Sequence, residues 1–158
     1  MDLKDAGKLI LAIIICNLAG IIGSFFTFTA IDSWYATLIK PEFNPPNWVF
    51  GPVWTLLYTL MGISLYIIWK KYEEGKDAKP ALTIFSVQWA LNALWSILFF
   101  GLQSPLYGLI GIIPLWISIA LMIKSYYPLS RNAALLQIPY LLWVSFATIL
   151  NASIWMLN

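Results

Sequence analysis

The chain has 158 residues, of which 61% are hydrophobic and only 10% are charged, and its mean hydropathy is +0.80. A water-soluble domain of this size could not bury so much apolar surface, so we predict an integral membrane protein. The net charge of +2 gives no basis for binding nucleic acid, and a single cysteine excludes an intrachain disulfide. Because the chain also lacks histidine, we expect no metal site, no histidine-ligated haem and no resident cofactor.

Five apolar stretches approach the roughly 20 residues that a membrane-spanning helix needs. They cover residues 9–29, 48–69, 81–102, 106–123 and 133–157. None contains Asp, Glu, Lys or Arg, which are costly inside a bilayer. We therefore predict an all-α, polytopic fold, with residues 1–158 forming one bundle of five transmembrane helices. A cleaved signal peptide is the alternative for the first stretch, but its apolar run is longer than such peptides have.

The longest segment between these stretches, residues 32–47, contains Pro41, Pro45 and Pro46. Consecutive prolines cannot continue a regular helix, so we expect an ordered extramembrane loop there, called the Pro-rich loop below. Eight of the nine Lys and Arg residues lie before the first span or after the second and fourth, and only Lys40 lies on the other side. This asymmetry predicts the N-terminus inside, and the Pro-rich loop and C-terminus outside.

Polar side chains recur at helical spacing within two of the spans. Gln88, Asn92 and Ser96 form one stripe on the third span, and Asn151 shares a face of the fifth span with Trp143 and Ala147. Amides inside a bilayer are expected to face other helices or a cavity. The stripes therefore fit two interpretations, hydrogen bonds that join helices or the lining of a binding pocket, and one stripe can serve both.

The nine tryptophans fall into two groups. Four lie near the ends of spans, where an interfacial aromatic belt explains them: Trp34, Trp48, Trp69 and Trp155. Five lie deeper and fit either core packing or the wall of a site for a flat apolar ligand: Trp54, Trp89, Trp95, Trp116 and Trp143.

Known catalytic and energy-coupling motifs are missing. The sequence contains no nucleotide-binding fingerprint, no carboxylate pair within a span and no Ser/His or Cys/His constellation. These absences exclude an ATP-driven pump and argue against proton-coupled transport.

Three motifs in chain order resemble the signature of the TspO/MBR family, the tryptophan-rich sensory and translocator proteins (peripheral benzodiazepine receptors). The first consists of Lys40-Pro41, Pro45-Pro46, Trp48, Phe50-Gly51-Pro52-Val53-Trp54 and Leu57-Tyr58. The second consists of Gln88, Leu91-Asn92, Trp95-Ser96 and Phe99-Phe100. The third consists of Pro139-Tyr140, Trp143, Phe146-Ala147 and Leu150-Asn151.

The resemblance implies a five-helix bundle, often a homodimer, that binds porphyrins, in some members sterols, and synthetic isoquinoline and benzodiazepine ligands. By motif position it implies a ligand site made of Trp54, Tyr58, Asn92, Trp95, Tyr140, Trp143, Phe146 and Ala147. Two departures are visible. Phe43 replaces a tryptophan that is common in the family, and residues 150–156 lack the Tyr and the basic residue of the cholesterol consensus, so we do not expect tight sterol binding.

Four functions remain open from the sequence. The leading one is a receptor-like protein that binds a metal-free tetrapyrrole or a similar flat hydrophobic molecule. The second is an enzyme that degrades porphyrin in light through Trp54 and Trp143, and the third is a passive translocator of porphyrins or lipids. A structural scaffold is the fourth. The expected partners are the ligand, membrane lipid and a second copy of the chain.

Overall fold

Helices make up nearly all of the computed structural model, which describes residues 3–158 and contains no strand within them. The helices are α1 (Leu3–Ile31), α2 (Trp34–Thr37), α3 (Asn47–Glu73), α4 (Lys79–Ser96), α5 (Pro105–Tyr126), α6 (Arg131–Leu135) and α7 (Ile138–Leu157). Five units are long and apolar enough to cross a membrane: α1, α3, α4 with its extension to Gly101, α5, and α6 together with α7. The predicted all-α fold with five membrane-spanning segments is confirmed.

Serine and proline define where two of these helices begin. The Ser104 side chain accepts a hydrogen bond from the Tyr107 N–H at the start of α5, and Pro105 occupies the first helical position. Likewise, Ser130 accepts from the Ala133 N–H at the start of α6. Both serines satisfy backbone donors that a helix N-terminus otherwise leaves unpaired, and proline lacks that donor.

The third span does not end as a regular α-helix. Residues Ile97–Gly101 form a π-helical turn, in which the Leu102 N–H donates to the Ile97 carbonyl oxygen (2.8 Å). The sequence predicted one uniform helix over residues 81–102, because hydropathy does not distinguish α from π geometry. Such turns are frequent at functional sites, and this one lies beside the cavity described below.

The fifth span is also interrupted, at residues 136–137, between α6 and α7. Pro139, the second residue of α7, has no N–H to donate to a carbonyl one turn earlier, so a continuous helix would lose a hydrogen bond there. Before the break, the Ala133 carbonyl oxygen accepts from Ser64 Oγ (2.8 Å), which joins α6 to α3. The sequence had predicted one helix over residues 133–157.

Small residues let α1 approach its neighbours closely. A methyl group on Gly20 would meet the ring of Tyr58, and one on Gly23 would meet Ser96 Oγ at 2.6 Å. Small-xxx-small spacing on a membrane helix is often used between subunits, but here it is used within the chain. The homodimer stays a prediction, and this face of α1 is not free to form its interface.

Two ion pairs join the beginning of α1 to the end of α3. Lys8 Nζ lies 2.7 Å from Glu73 Oε2, and Lys70 Nζ lies 2.7 Å from Asp5 Oδ2. Both pairs lie at the end of the bundle opposite the Pro-rich loop. They hold the two antiparallel helices together at that end, while at the other end the helices flank a cavity.

Candidate ligand cavity

A cavity of about 530 Å³ lies in the half of the bundle next to the Pro-rich loop. Its walls come from the second half of α1, the beginning of α3, the end of α4 with the π-helical turn, and α7. All these segments lead into or out of that loop or end beside it. The volume falls within the range of small-molecule sites, roughly 300–1,000 Å³.

The structure brings together most of the residues that the sequence singled out. Six of the eight predicted ligand-binding residues line the cavity: Trp54, Tyr58, Asn92, Trp95, Trp143 and Ala147. Tyr140 is not part of the lining; it is 1% exposed and its hydroxyl bonds to Asn92. Phe146 is not part of it either, and its ring packs against the rings of Phe43 and Trp143 instead.

Aromatic rings build two of the cavity walls. On α3, the Trp54 and Tyr58 rings stack with centroids 5.4 Å apart and planes 26° apart. On the third span, Trp95 stacks on Phe99 of the π-helical turn, with centroids 5.3 Å apart and planes 21° apart. Helical spacing within each wall places these rings side by side, and flat rings favour a flat, apolar ligand.

The deepest end of the cavity is polar and fully hydrogen-bonded. Tyr58 Oη donates to Asn92 Oδ1 (2.6 Å), and Asn92 Nδ2 donates to Tyr140 Oη (2.8 Å). The chain continues as Tyr140 Oη donates to Gln88 Oε1 (3.1 Å), and Gln88 Nε2 donates to Met61 Sδ (3.4 Å). Each side chain in this series donates to the next, so no two donors face each other. The network thereby links α3, α4 and α7.

The polar stripe on the third span was expected either to join helices or to line a pocket, and its three residues differ in this respect. Gln88 is completely buried and does not line the cavity, so it joins helices. Asn92 joins helices and also lines the cavity, so it fits both interpretations. Ser96 lines the cavity beside Gly23.

The stripe on the fifth span faces the cavity along its whole length. Trp143, Ala147 and Asn151 all line it. Asn151 Nδ2 donates to the Pro105 carbonyl oxygen (2.7 Å), and Asn151 Oδ1 accepts from Trp95 Nε1 (3.4 Å). Asn151 therefore fixes the orientation of the Trp95 ring, because its carboxamide is itself held by the start of α5.

The contribution of α1 to the cavity was not predicted from the sequence. Gly20, Ser24 and Phe28, spaced at four residues, line the cavity from this helix. The spacing was visible, but small residues on a membrane helix first indicate close helix packing. Gly20 packs closely here too, against the Tyr58 ring, while Ser24 and Phe28 add a hydroxyl and an aromatic ring to the cavity wall.

Tyr35, at the beginning of the Pro-rich loop, also lines the cavity and was not predicted. Its hydroxyl donates to Asn44 Oδ1 (3.0 Å), and Lys40 Nζ lies 4.8 Å from its ring centroid. Burial raises the pKa of Tyr35 to about 12, so the hydroxyl stays protonated and keeps donating at physiological pH. The loop is therefore ordered over the cavity by a bond between its own two halves.

No Asp, Glu, Lys or Arg is found among the lining residues in the described part of the chain. Three lining hydroxyls, those of Ser24, Thr27 and Thr55, donate to carbonyl oxygens of their own helices. They present lone pairs rather than protons to the cavity. The site is thus uncharged and offers mostly aromatic surface with a few hydrogen-bond acceptors.

One side of the cavity is open, between α1 and α3. Ile21 and Phe28 of α1 and Trp48 of α3 line the cavity and are also exposed, with 77% of Phe28 and 75% of Trp48 accessible. Exposed apolar side chains on membrane-spanning helices face lipid. The opening therefore leads towards the hydrocarbon and the membrane interface beside the Pro-rich loop.

Comparison with known proteins is consistent with this architecture. The sequence profile of the TspO/MBR family matches residues 12–156. The chain is 51% identical over 153 residues to the tryptophan-rich protein TspO of Archaeoglobus fulgidus, covering 96% of this chain and 97% of that protein. It is 45% identical to the tryptophan-rich protein TspO of Chlorobaculum tepidum over 98% of both chains. With the human translocator protein it shares 36% identity over 88% of this chain and 83% of that protein. The chain belongs to the TspO/MBR family.

Proposed function

We propose that this membrane protein is receptor-like and binds a flat, hydrophobic ligand, most simply a metal-free porphyrin or related tetrapyrrole, in the cavity beneath the Pro-rich loop. The observation that carries the proposal is an uncharged cavity lined by two pairs of stacked aromatic rings, one on α3 and one on the third span. Such rings give a planar macrocycle large contact areas.

Protoporphyrin IX titrated into the protein in nanodiscs should quench tryptophan fluorescence saturably, because several lining residues are tryptophans. Replacing Ala147 by Phe should weaken this binding about tenfold or more, since the new ring occupies space between the aromatic walls. Ala90→Phe is the matched control, because Ala90 is exposed on α4 away from the cavity. Equal affinities for the two variants would place the ligand elsewhere.

A light-dependent reaction is the second candidate. Both tryptophans proposed to carry it, Trp54 and Trp143, line the cavity, and the Trp143 ring lies 5.9 Å from that of Phe50. A bound porphyrin would thus contact oxidisable side chains directly. Passive translocation remains a prediction as well, and the open side between α1 and α3 is the feature that favours it.

We also propose the orientation that the charge asymmetry predicts, with the N-terminus inside and the Pro-rich loop outside. A cysteine at position 40 should be labelled by a membrane-impermeant maleimide added to intact cells, whereas one at position 76 should be labelled only after lysis. Native Cys16 is buried and should give little background. Labelling of position 40 only after lysis would reverse the proposed topology.

A further inference from the structure

Asn158, which directly follows α7, is hydrogen-bonded to the Pro-rich loop through both ends of its carboxamide. The Ile39 N–H donates to Asn158 Oδ1 (2.9 Å), and Asn158 Nδ2 donates to the Ile39 carbonyl oxygen (2.9 Å). The two residues are 119 positions apart in the chain. The side chain thus pairs with one loop residue as a neighbouring β-strand would.

Asn158 is itself held in place. Its Nδ2 also donates to the carbonyl oxygen of Ile154 (2.8 Å), one turn earlier on α7. Ile154 is buried and lines the cavity. All the polar atoms of the side chain therefore have partners, and the contact connects the loop rigidly to the wall of the cavity.

The loop segment that this contact holds lies over the cavity. Tyr35, four residues before Ile39, lines the cavity. Leu38, the direct neighbour of Ile39, packs in a cluster with Tyr35, Phe99 and Ile154. Ring packing also joins the loop to the bundle, through Tyr35 on Phe99 and Phe43 on Phe146. Two hydrogen-bonded contacts add to this packing: the Tyr35–Asn44 bond closes the loop on itself, and the Asn158–Ile39 contact joins it to α7. Within residues 3–158, the second is the hydrogen-bonded link between the loop and α7.

We propose that Asn158 is a positioning residue that holds the Pro-rich loop closed over a bound ligand, and so sets how fast the ligand leaves. Asn158 does not belong to the cavity lining, so its effect would act through the loop rather than through ligand contact. The part of this inference that concerns ligand release rests on the proposed function. The part that concerns the loop does not.

The first measurement needs no ligand. Hydrogen–deuterium exchange of the full chain in nanodiscs should show the Ile39 amide exchanging roughly tenfold faster in Asn158→Ala than in wild type, since two hydrogen bonds are lost. Asn132→Ala removes an exposed carboxamide at the other end of the fifth span and should change nothing at residues 36–40. Unchanged exchange in Asn158→Ala would overturn the proposal.

The second measurement uses protoporphyrin IX. Stopped-flow dissociation should be roughly tenfold faster in Asn158→Ala, with the association rate and the melting temperature near those of wild type. Asn158→Asp keeps the acceptor for the Ile39 N–H but places a carboxylate oxygen where Nδ2 donates to the carbonyl oxygens of Ile39 and Ile154, so its dissociation rate should be at least as fast as that of Asn158→Ala. Faster exchange with unchanged dissociation would show that the contact orders the loop without controlling release, and would overturn this role.

The measurements distinguish a failure of the proposed ligand-binding function from a failure of the role proposed for Asn158. If wild type binds no protoporphyrin IX, the proposed function is wrong for this ligand, and with it the control of release. The exchange rates still decide whether Asn158 holds the loop. If wild type binds and Asn158→Ala releases the ligand no faster, the proposed function stands and only this inference is wrong.

Discussion

Uroporphyrin, which carries eight carboxylates, is expected to bind about a hundredfold or more weakly than protoporphyrin IX, which carries two on one edge. The described cavity lining contains no Lys or Arg, so a carboxylate placed inside would lose its hydration without gaining a partner. That loss amounts to several kcal/mol per ion, and about 1.4 kcal/mol already changes affinity tenfold. Protoporphyrin IX can avoid the loss by directing its carboxylate edge to the open side.

Coproporphyrin, with four carboxylates around the ring, should bind with an affinity between those of uroporphyrin and protoporphyrin IX for the same reason. The dimethyl ester of protoporphyrin IX should bind within about threefold of the free acid, because carboxylates outside the cavity contribute little. Titrations into protein-containing and empty nanodiscs, with the partition into lipid subtracted, measure all four ligands on one scale. Equal affinities for uroporphyrin and protoporphyrin IX would contradict binding in an uncharged cavity.

Asn92→Leu is expected to lower the free energy of unfolding by about 1–3 kcal/mol, because it leaves the buried hydroxyl of Tyr58 without its acceptor. It also removes the donor that Tyr140 Oη accepts from, although Tyr140 can still donate to Gln88. The measurement is reversible unfolding in SDS followed by tryptophan fluorescence. Protoporphyrin binding should weaken in parallel, since Asn92 also lines the cavity.

Two further variants test the cause of this destabilisation. Asn17→Leu is the matched control, because Asn17 Nδ2 donates only within its own helix, to the Ile13 carbonyl oxygen. Its effect should be at most a few tenths of a kcal/mol. Adding Tyr58→Phe to Asn92→Leu should recover part of the lost stability, since the unpaired hydroxyl is then gone. Strict additivity of the two substitutions would show that Tyr58 and Asn92 do not depend on each other.

The fold was largely predictable because a bilayer imposes a simple rule on sequence. Five uncharged apolar stretches of sufficient length permit little other than five helices, and all five appear. The interruptions were not predictable in the same way. The π-helical turn at Ile97–Gly101 replaces α by π hydrogen bonds without changing hydropathy. The break before Pro139 depends on a contact between helices, since Ser64 of α3 donates to the Ala133 carbonyl oxygen.

The candidate site was predictable where several lining residues share one face of the same helix. Trp143 and Ala147 share a face, so a cavity that meets one of them meets the other. Tyr140, one turn earlier, lies just beyond the deep end, where its hydroxyl supports Asn92 instead of lining the cavity. The contribution of Gly20 could not be inferred, because a glycine gives no sign of which side chain packs against it or whether a cavity adjoins it.

The open side between α1 and α3 changes how affinity for this protein has to be expressed. Its rim is formed by Ile21, Phe28 and Trp48, which face lipid. The hydrophobic ligand that we propose would therefore equilibrate with the site from the membrane phase, where it is far more concentrated than in the buffer. A dissociation constant written against total aqueous ligand combines partitioning with binding. Mole fraction in the bilayer is the quantity that would let two ligands, or two membranes, be compared.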